Sequence, residues 1–409
     1  MNIIFPCSYY IPETAASLYI TDNIIHACAE NGIYTTLHTP TPTRNVIEGA
    51  TWERNEFHCD GKLHIHRFHM YGEGKNPFLR AVRYLLCEGY LTYKCIFSKY
   101  DIAFIDSTPP IQGLKNPIIK LVRRKPVVYN AQDIFPDSLV GTGLTNEGSI
   151  LWKVGRVVEK ITYKYADKII VISEDFKRNI MAKGVPEEKI EVIYNWVDEK
   201  AVVDVPREDN VLFDRYNLDR NKFYISYCGN IGLTQNLQML TEVAKTLESN
   251  EDIQFVLVGN GTYKQELEKI IKERNITNIT LLPFQPYEEI SHVFSLGDVS
   301  LVISKPGVGE NSVPSKTWSI LSASRPVLAN FDENELKTII EKNNCGIFTK
   351  AGDKVAFTDA ILKMYKGREL CKEYGRNGRD FIMKNLTREI GTKKYVEVIK
   401  SVYSERNKG

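Results

Sequence analysis

The chain has 409 residues, and 53 lysines and arginines stand against 51 aspartates and glutamates, so its formal net charge is only +2. This length exceeds what one compact core usually holds, and it predicts two domains. The nearly balanced charge gives no reason to expect a nucleic-acid partner.

Short apolar strands alternate with helical stretches through the first half of the chain. A helix is predicted over Ala16–Glu30, where apolar residues recur at helical spacing. The predicted strands are Asn2–Pro6, Tyr34–His38, Leu63–Phe68, Ile102–Ile105, Val127–Tyr129 and Lys168–Ile172. Strands separated by helices are typical of a parallel, doubly wound sheet.

The segment 199–222 is polar, carries Pro206 and is predicted to be a linker. The alternation then restarts, with predicted strands at Tyr224–Tyr227, Ile253–Val258, Ile279–Leu282, Val299–Ile303 and Val327–Ala329. The fold class is therefore α/β, with two Rossmann-like domains over residues 1–203 and 204–387. Residues 388–405 are a charged, amphipathic terminal segment.

The eight cysteines include no C-x-x-C pair, and several lie in apolar runs. This pattern predicts reduced thiols in a cytoplasmic protein. No stretch approaches the roughly 18 apolar residues of a spanning helix, which leaves a soluble or a peripheral membrane protein.

The most informative segment is a glycine-rich loop that ends in a helix. Gly307 and Gly309 precede Ser312, Pro314 and Ser315, and an apolar helix is predicted from Lys316 to Ala323. In an open α/β sheet such a loop points backbone N–H groups into the crevice at the strand ends. With Lys305 and Lys316 nearby, the crevice would suit a phosphate or diphosphate. An ordinary strand-to-helix connection explains the same pattern.

Five segments resemble, in order, those of family 4 glycosyltransferases of the GT-B fold. They read ADKIIVISEDFKRNI…KIEVIYNWVD (166–198), FYISYCGNIG (223–232), FVLVGNG (255–261), LGDVSLV (296–302) and VPSK…ILSASRPVLA (313–329). The resemblance is nearest to the branch acting in capsule and O-antigen assembly, which includes L-fucosamine transferases.

This resemblance implies two Rossmann-like domains facing a cleft, an N-terminal acceptor domain and a C-terminal donor domain, with the helix 388–405 packing back onto the former. It also implies a retaining transferase that uses a UDP-linked sugar and a polyprenyl-diphosphate-linked glycan, without a metal or other cofactor. Such an enzyme would be cytoplasmic or peripheral on the inner face of the membrane.

The donor site is expected in the second half. The resemblance and the glycine loops assign to it Gly229, Asn230, Gly232, Gly259, Asn260, Phe284, Lys305, Asn311, Ser312, Pro314, Ser315, Lys316 and Ser319. Glu310 is the candidate for contact with the sugar hydroxyls, and Phe284 would either pack on the base or belong to the core. Asn230, Gln235 and Ser319 stand where relatives carry Arg, Lys and Glu, so the usual cations and ribose partner are absent.

The acceptor side is expected in the first half. The loop Thr14, Ala15, Ala16 and Ser17 matches one that faces the donor diphosphate in relatives, although Thr14 and Ser17 also suit helix caps. The resemblance places Asp133 in the cleft, where it would orient or deprotonate an acceptor hydroxyl. No Ser-His-Asp or Cys-His arrangement is present.

Two further patterns have both a functional and a structural interpretation. His64, His66 and His69 would form a metal site or simply lie on an edge strand. Between Lys75 and Lys125, ten Lys/Arg against three Asp/Glu predict either a membrane surface or a solvated face. The arginines proposed for the membrane are Arg80, Arg83, Arg123 and Arg124.

Two other functions stay open. Non-hydrolysing UDP-sugar 2-epimerases share this fold, and the lost cations would also fit a weakly active sugar-nucleotide-binding partner.

Overall fold

The computed structural model describes residues 1–13, 16–43, 46–47, 49–72, 76–141, 145–310 and 313–406, without the side chains of residues 16, 17, 77 and 141. The chain divides into two compact units. Unit 1 comprises Met1–Asn195 and Glu389–Gly409, and unit 2 comprises Trp196–Arg388. The division falls after residue 195, eight residues before the predicted boundary.

Unit 1 is built on an eight-stranded sheet. Its strands are β1 (Asn2–Pro6), β2 (Tyr34–Pro40), β3 (Asn55–His58), β4 (Leu63–Phe68), β5 (Ile102–Asp106), β6 (Val127–Ala131), β7 (Lys168–Val171) and β8 (Ile190–Val192). They lie in the order β3-β4-β2-β1-β5-β6-β7-β8, and β3 alone is antiparallel to its neighbour. The prediction of an edge strand at His64 and His66 is wrong, because β4 is paired on both sides and β3 forms the edge.

Helices cover both faces of this sheet. They are α1 (Ala16–Glu30), α2 (Pro77–Phe97), α3 (Lys115–Ile118, continued by a π-helical turn over Ile119–Arg123), α4 (Asp137–Gly141), α5 (Ile150–Tyr165) and α6 (Glu174–Ala182). Cys95 of α2, Ile119 of the turn, Tyr163 of α5 and Ile180 of α6 share one apolar core with the strands. These four segments therefore pack on the same face of the sheet.

Unit 2 contains a six-stranded parallel sheet. Its strands are β9 (Phe223–Cys228), β10 (Ile253–Val258), β11 (Ile279–Leu282), β12 (Val299–Ile303), β13 (Val327–Phe331) and β14 (Gly346–Lys350), in the order β11-β10-β9-β12-β13-β14. Its helices are α7 (Val211–Arg215), α8 (Leu237–Leu247), α9 (Lys264–Glu273), α10 (Ile290–Phe294), α11 (Lys316–Ser322), α12 (Glu335–Lys342), α13 (Lys354–Lys366) and α14 (Arg368–Asn385).

The composition of segment 199–222 predicts a linker. This prediction is wrong, because the segment is folded. It contains α7, whose Leu212 and Phe213 are buried. Arg207 from the same segment forms an ion pair with Asp298, with 2.6 Å between Nη2 and Oδ2. A single turn of helix buries too few residues to stand out from a polar sequence.

The final helix, α15 (Arg388–Arg406), belongs to unit 1 from Glu389 onward. Tyr395 is fully buried there, and its hydroxyl donates to Asn130 Oδ1 at 2.9 Å. Its ring centre lies 6.1 Å from that of Phe104. Among the described residues, no helix has the length and apolar character required to cross a bilayer.

Each sheet has one point at which the strand order reverses. In unit 1 this point lies between β1 and β5, and in unit 2 between β9 and β12. Ligands of open α/β sheets bind in the crevice outside the carboxyl ends of the strands at such a point. The loops that follow β9 and β12 therefore define the candidate site of unit 2.

Candidate active site

The loops after β9 and β10 are joined by backbone hydrogen bonds. Ile231 N donates to Asn260 O at 2.8 Å, and Gly229 N donates to Val258 O at 3.0 Å. A Cβ atom at Gly259 would lie 1.9 Å from Gly229 O, and the φ angle of Gly259 is +156°. Contact between the two loops thus requires a glycine at position 259, and its assignment to the donor site stays a prediction.

Gly232 has a similar local explanation. Its N–H donates to Gln235 Oε1 at 3.0 Å. A Cβ at this position would lie 2.7 Å from both Gln235 Oε1 and Asn230 Nδ2. The two side chains that replace the family's cations therefore fold over Gly232 and shape the loop.

Lys316 lies at the reversal point of unit 2. Its Nζ is 4.0 Å from the centre of the Tyr227 ring, and a Cβ at Gly229 would lie only 3.2 Å from Nζ. No carboxylate of the described residues forms an ion pair with this ammonium. Burial lowers the pKa of Lys316 to about 8. Within the described part of the chain, the site therefore contains a desolvated ammonium that is not paired with a carboxylate.

The loop after β12 is held by a carboxylate. Gly307 N and Gly309 N donate to Asp332 Oδ1 and Oδ2 at 3.0 and 2.7 Å. These two amides are therefore occupied, contrary to the prediction that the glycine loop offers free N–H groups. Lys305 N donates to Thr234 O at 2.8 Å, which ties this loop to the one after β9.

The first turn of α11 is also partly satisfied. Thr317 N donates to Pro314 O at 2.9 Å and Trp318 N donates to Ser315 O at 3.1 Å. The positive potential of the site consequently depends on the side chains of Lys316 and the exposed Lys305.

Phe284 follows β11 and is 75% exposed, so its alternative interpretation as a core residue is wrong. Its neighbour Gln285 is buried and fixes the loop. Gln285 Nε2 donates to Tyr216 OH at 2.8 Å and to Pro283 O at 2.7 Å. The aromatic ring is thus presented to solvent on a constrained segment, where a planar ligand could stack.

The remaining donor candidates are exposed or half-buried where the structure describes them. Asn230, Asn260, Glu310 and Ser315 are exposed, and Pro314 and Ser319 are half-buried. Asn311 and Ser312 lie outside the described residues. The structure thus brings together the loops that carry Gly229, Gly259, Lys305 and Lys316.

In unit 1, Asp133 follows β6 and is exposed. Its Oδ2 accepts a hydrogen bond from Ser138 Oγ at 2.8 Å. Thr14 and Ala15 lie outside the described residues, as do the side chains of Ala16 and Ser17, so their predicted roles as acceptor loop or caps stay predictions.

The sequence did not reveal a buried polar network close to Asp133 in the chain. Asn130 Nδ2 donates to Asp106 Oδ1 at 2.7 Å, and Gln132 Nε2 donates to Asn130 Oδ1 at 3.0 Å. Burial raises the pKa of Asp106. Asp106 ends β5, next to the reversal point of this sheet. In the sequence, the only indication of its role is an acidic residue at the end of an apolar strand.

The basic run of unit 1 is less exposed than predicted. Arg83 is only 2% exposed; its Nε donates to Tyr71 O at 2.8 Å, and its guanidinium also contacts Thr43. It therefore cannot reach a membrane, and its predicted role there is wrong. Lys115 is likewise buried, in an ion pair with Glu88. Arg80 and Arg124 are exposed, and Arg123 is half-buried.

Family models match two parts of the chain. Residues 20–201 match Glycosyltransferase Family 4, and residues 209–381 match Glycosyl transferases group 1. The chain is a GT-B glycosyltransferase. "Probable glycosyltransferase WbjE" of Pseudomonas aeruginosa is 25% identical over 310 residues, which are 75% of this chain and 76% of that protein. "Putative colanic acid biosynthesis glycosyl transferase WcaI" of Escherichia coli is 31% identical over 202 residues, 48% of each protein.

Solved structures support the same fold for this glycosyltransferase. Sucrose-phosphate synthase from Thermosynechococcus elongatus aligns with a TM-score of 0.72 at 15% identity, over 99% of both chains. HepE of Anabaena, solved in complex with UDP, aligns with a TM-score of 0.72 at 15% identity, over 98% of this chain and 100% of that one. The predicted α/β class with two parallel-sheet domains of the GT-B fold is confirmed.

Proposed function

We propose that this GT-B glycosyltransferase transfers a sugar from a UDP-linked donor to a lipid-linked glycan, with retention of configuration, during assembly of a surface polysaccharide. The observation that carries the proposal is the Lys316 ammonium, which lies desolvated at the reversal point of unit 2 and forms no ion pair with a carboxylate of the described residues. A desolvated charge is costly unless it is paired, and a diphosphate would pair it.

The names of similar proteins support this direction. HepE was solved with UDP, WcaI is named for colanic acid biosynthesis, and WaaG, with a TM-score of 0.68 at 11% identity, is described as acting in lipopolysaccharide biosynthesis. We assign donor binding to unit 2 and acceptor binding to unit 1. The resemblance to L-fucosamine transferases makes a donor such as UDP-N-acetyl-L-fucosamine our first choice.

Within unit 2 the assigned roles follow from side-chain chemistry. Lys316 and Lys305 would hold the diphosphate, Phe284 would stack on the base, and Glu310 would accept hydrogen bonds from the sugar. Ser319 would replace the ribose-binding glutamate of relatives with a weaker hydroxyl partner. The side chains of Asn230 and Gln235 would supply polar but uncharged contacts.

Retention does not require a protein nucleophile in this scheme. The bond from the anomeric carbon to the diphosphate breaks as the acceptor oxygen approaches from the same face, and the leaving phosphate oxygen takes the acceptor proton. Catalysis then depends on positioning and on stabilising the negative charge of the departing UDP. Lys316 would supply that charge stabilisation, and Asp133 would orient the acceptor hydroxyl.

A thermal-unfolding comparison tests the choice of nucleotide. UDP, GDP, ADP and TDP would be added separately at equal concentration, because a ligand that binds only the folded state raises the unfolding temperature by mass action. We expect UDP to give the largest increase. A larger increase with another diphosphate would overturn the assigned base, and no increase with any of them would overturn the proposed site.

A product assay separates the two alternative functions. With a UDP-sugar and a lipid-linked glycan, we expect release of UDP and a lengthened glycan. Conversion of the sugar to its epimer without any acceptor would identify an isomerase instead. Binding of the UDP-sugar with no turnover on the true acceptor would identify a sugar-nucleotide-binding partner.

We further propose that unit 1 contacts an anionic membrane through the outward side of α2, the π-helical turn and α5. Twelve large apolar side chains on these segments are each at least half exposed, although the segments bury their opposite sides in one core. They are Phe78, Leu79, Leu85, Leu86, Tyr93, Phe97, Leu121, Val122, Ile150, Leu151, Val154 and Val157. Exposed apolar surface of this extent marks an interaction site.

The charges on these segments favour an anionic bilayer over other partners. The carboxylates of residues 76–100, 110–125 and 150–165 are those of Glu88 and Glu159, and both are buried and paired with cations. Exposed cations, in contrast, include Arg80, Lys99, Arg124, Lys153, Lys160 and Lys164. Each cation near an anionic membrane surface contributes about 1 kcal/mol, and the apolar side chains would enter the interface.

Sedimentation with vesicles tests this surface. Leu85→Gln with Leu86→Gln, and Ile150→Gln with Val154→Gln, should each reduce binding to vesicles rich in phosphatidylglycerol, as should Arg80→Gln with Arg124→Gln. Val355→Gln is the matched control, because Val355 is 71% exposed on unit 2. Equal binding to neutral and anionic vesicles would contradict the electrostatic contribution. The protein could also self-associate without vesicles, and the same variants could abolish that association. This result would show that the face binds a second copy of the chain instead of a membrane.

A further inference from the structure

The region where α1 ends beside the turn between β3 and β4 contains three metal-binding side chains. The ligand atoms of His26, Glu30 and Cys59 all lie within 4.8 Å of one another. His26 and Glu30 are one helical turn apart on α1, so they share a face of that helix. Cys59 begins the turn that follows β3 and reaches the same place from the sheet.

We propose that His26, Glu30 and Cys59 bind a zinc-class divalent cation. Imidazole nitrogen, carboxylate oxygen and thiolate sulfur are all donors that zinc binds, and a tetrahedral ion would keep a fourth position for water. Bond lengths of about 2.0 Å to nitrogen and 2.3 Å to sulfur place two such ligands about 3.5 Å apart in a tetrahedron. Cys59 Sγ and His26 Nδ1 are 3.8 Å apart, so little movement is needed.

A second carboxylate orients the histidine. His26 Nε2 lies 3.5 Å from Asp22 Oδ1, and Tyr10 OH donates to that same oxygen at 2.6 Å. If Nε2 carries its proton toward Asp22, the lone pair of Nδ1 faces Cys59. This carboxylate–histidine pair is the usual outer support of a metal-bound imidazole.

The charges at the site also favour a cation. Ligation would deprotonate Cys59, and the thiolate and the Glu30 carboxylate would repel each other in the absence of a positive ion. Of the eight cysteines, all of which lie in the described ranges, only Cys59 is not buried. The metal would fasten the last turn of α1 to the turn between β3 and β4. None of the residues assigned to UDP takes part, so this inference is independent of the proposed function.

Cobalt(II) titration of the whole, chelator-treated protein provides a direct test. A cysteine ligand gives thiolate-to-cobalt charge-transfer absorption in the near ultraviolet, and we expect it to saturate at one ion per chain. Cys59→Ser should abolish this absorption. His26→Gln and Glu30→Gln should weaken zinc affinity at least tenfold by calorimetry, and Asp22→Asn should weaken it by about tenfold.

His69→Gln is the matched control, because His69 is exposed on the same unit and lies outside the set. Zinc should also raise the unfolding temperature of the wild type and not that of Cys59→Ser, while UDP affinity stays the same with and without zinc. An adventitious ion only, recognised by equal affinity in the wild type and His26→Gln, would overturn the proposal. So would the absence of the charge-transfer band in the wild type.

Discussion

Among single residues, Lys316 is the one on which donor binding depends most, and its side chain lies in an environment that disfavours its charge. Burial lowers the pKa of Lys316 to about 8 from the 10.5 of a free lysine. Between these values the unfolded chain binds more protons than the folded one, so Lys316 makes the free energy of unfolding rise with pH across that window. A bound diphosphate favours the ammonium and would reverse this effect.

UDP binding should therefore be coupled to proton uptake. At pH 9 most of Lys316 is neutral in the free protein and charged in the complex, so about one proton should enter per UDP. Calorimetry in buffers of different ionisation enthalpy measures this number. In Lys316→Arg, the arginine is already charged at this pH, so the variant should take up no proton when UDP binds. Unchanged proton uptake in this variant would show that another group takes up the proton.

Asp133 should matter for turnover and not for UDP. Asp133→Asn should lower kcat by at least tenfold with a lipid-linked acceptor and leave the Kd for UDP within twofold, since the lost interaction belongs to the transition state. Ser138→Ala is the control, because it removes the hydrogen bond that Ser138 Oγ donates to Asp133 and leaves the carboxylate in place. A kcat within twofold of the wild type would make Asp133 a structural residue.

The sequence indicated candidate residues where a side chain's own chemistry marks it, and it misjudged residues whose surroundings depend on a distant partner. Lys316 stood out as a cation at the start of a helix. Nothing near Arg83 in the sequence indicates that Tyr71 O and Thr43 bury it, and nothing near Gly307 indicates that Asp332 occupies its amide. The cluster of His26 and Cys59 was missed because its members come from separate elements.

Among the larger elements, the two glycine loops of unit 2 are held rigidly together, because backbone hydrogen bonds join them beyond the ends of β9 and β10. The loop after β12 is attached to them through Lys305 N and Thr234 O. A change in any of these loops should therefore reach the side chain of Lys316, which lies against Gly229.

Gly259→Ala should be destabilising, because its new Cβ would meet Gly229 O at 1.9 Å. Overpacking of this kind costs about 1–3 kcal/mol. Gly89→Ala is the control: it lies in α2 with nothing within 4 Å, and should stabilise by up to about 1 kcal/mol. Denaturant unfolding measures both. An unchanged free energy of unfolding for Gly259→Ala would show that the loops separate easily.

Elements that bury continuous apolar residues were predicted with little error. The bounds of β1, β10 and β12 match the sequence prediction, since burial on both faces leaves a clear apolar run. The bounds of β4, β11 and α1 match as well. The missed strands, β3, β8 and β14, are short and mostly half-buried or exposed. Their pairing depends on a neighbouring strand and not on their own residues.

At the scale of the whole molecule, two units of similar architecture carry different chemistry. Unit 2 has the desolvated lysine and the exposed Phe284, and unit 1 has Asp133 and the apolar, basic face of α2 and α5. The parallel sheets could be anticipated from the alternation of strands and helices, whereas the order of the strands within each sheet comes from the structure. The return of α15 to unit 1 was implied by family resemblance alone, because the charged sequence of that helix does not indicate which unit it joins.

The central claim is that unit 2 binds a UDP-linked donor through Lys316. Calorimetric titration of UDP into the wild type, Lys316→Ala and Lys305→Ala at pH 7 tests it most directly. A hydrogen bond to a charged group contributes about 1.5–3 kcal/mol. Lys316→Ala should therefore weaken binding by about 10- to 150-fold, and Lys305→Ala, which removes an exposed lysine, by much less. UDP binding of equal strength in the wild type and Lys316→Ala would contradict the account.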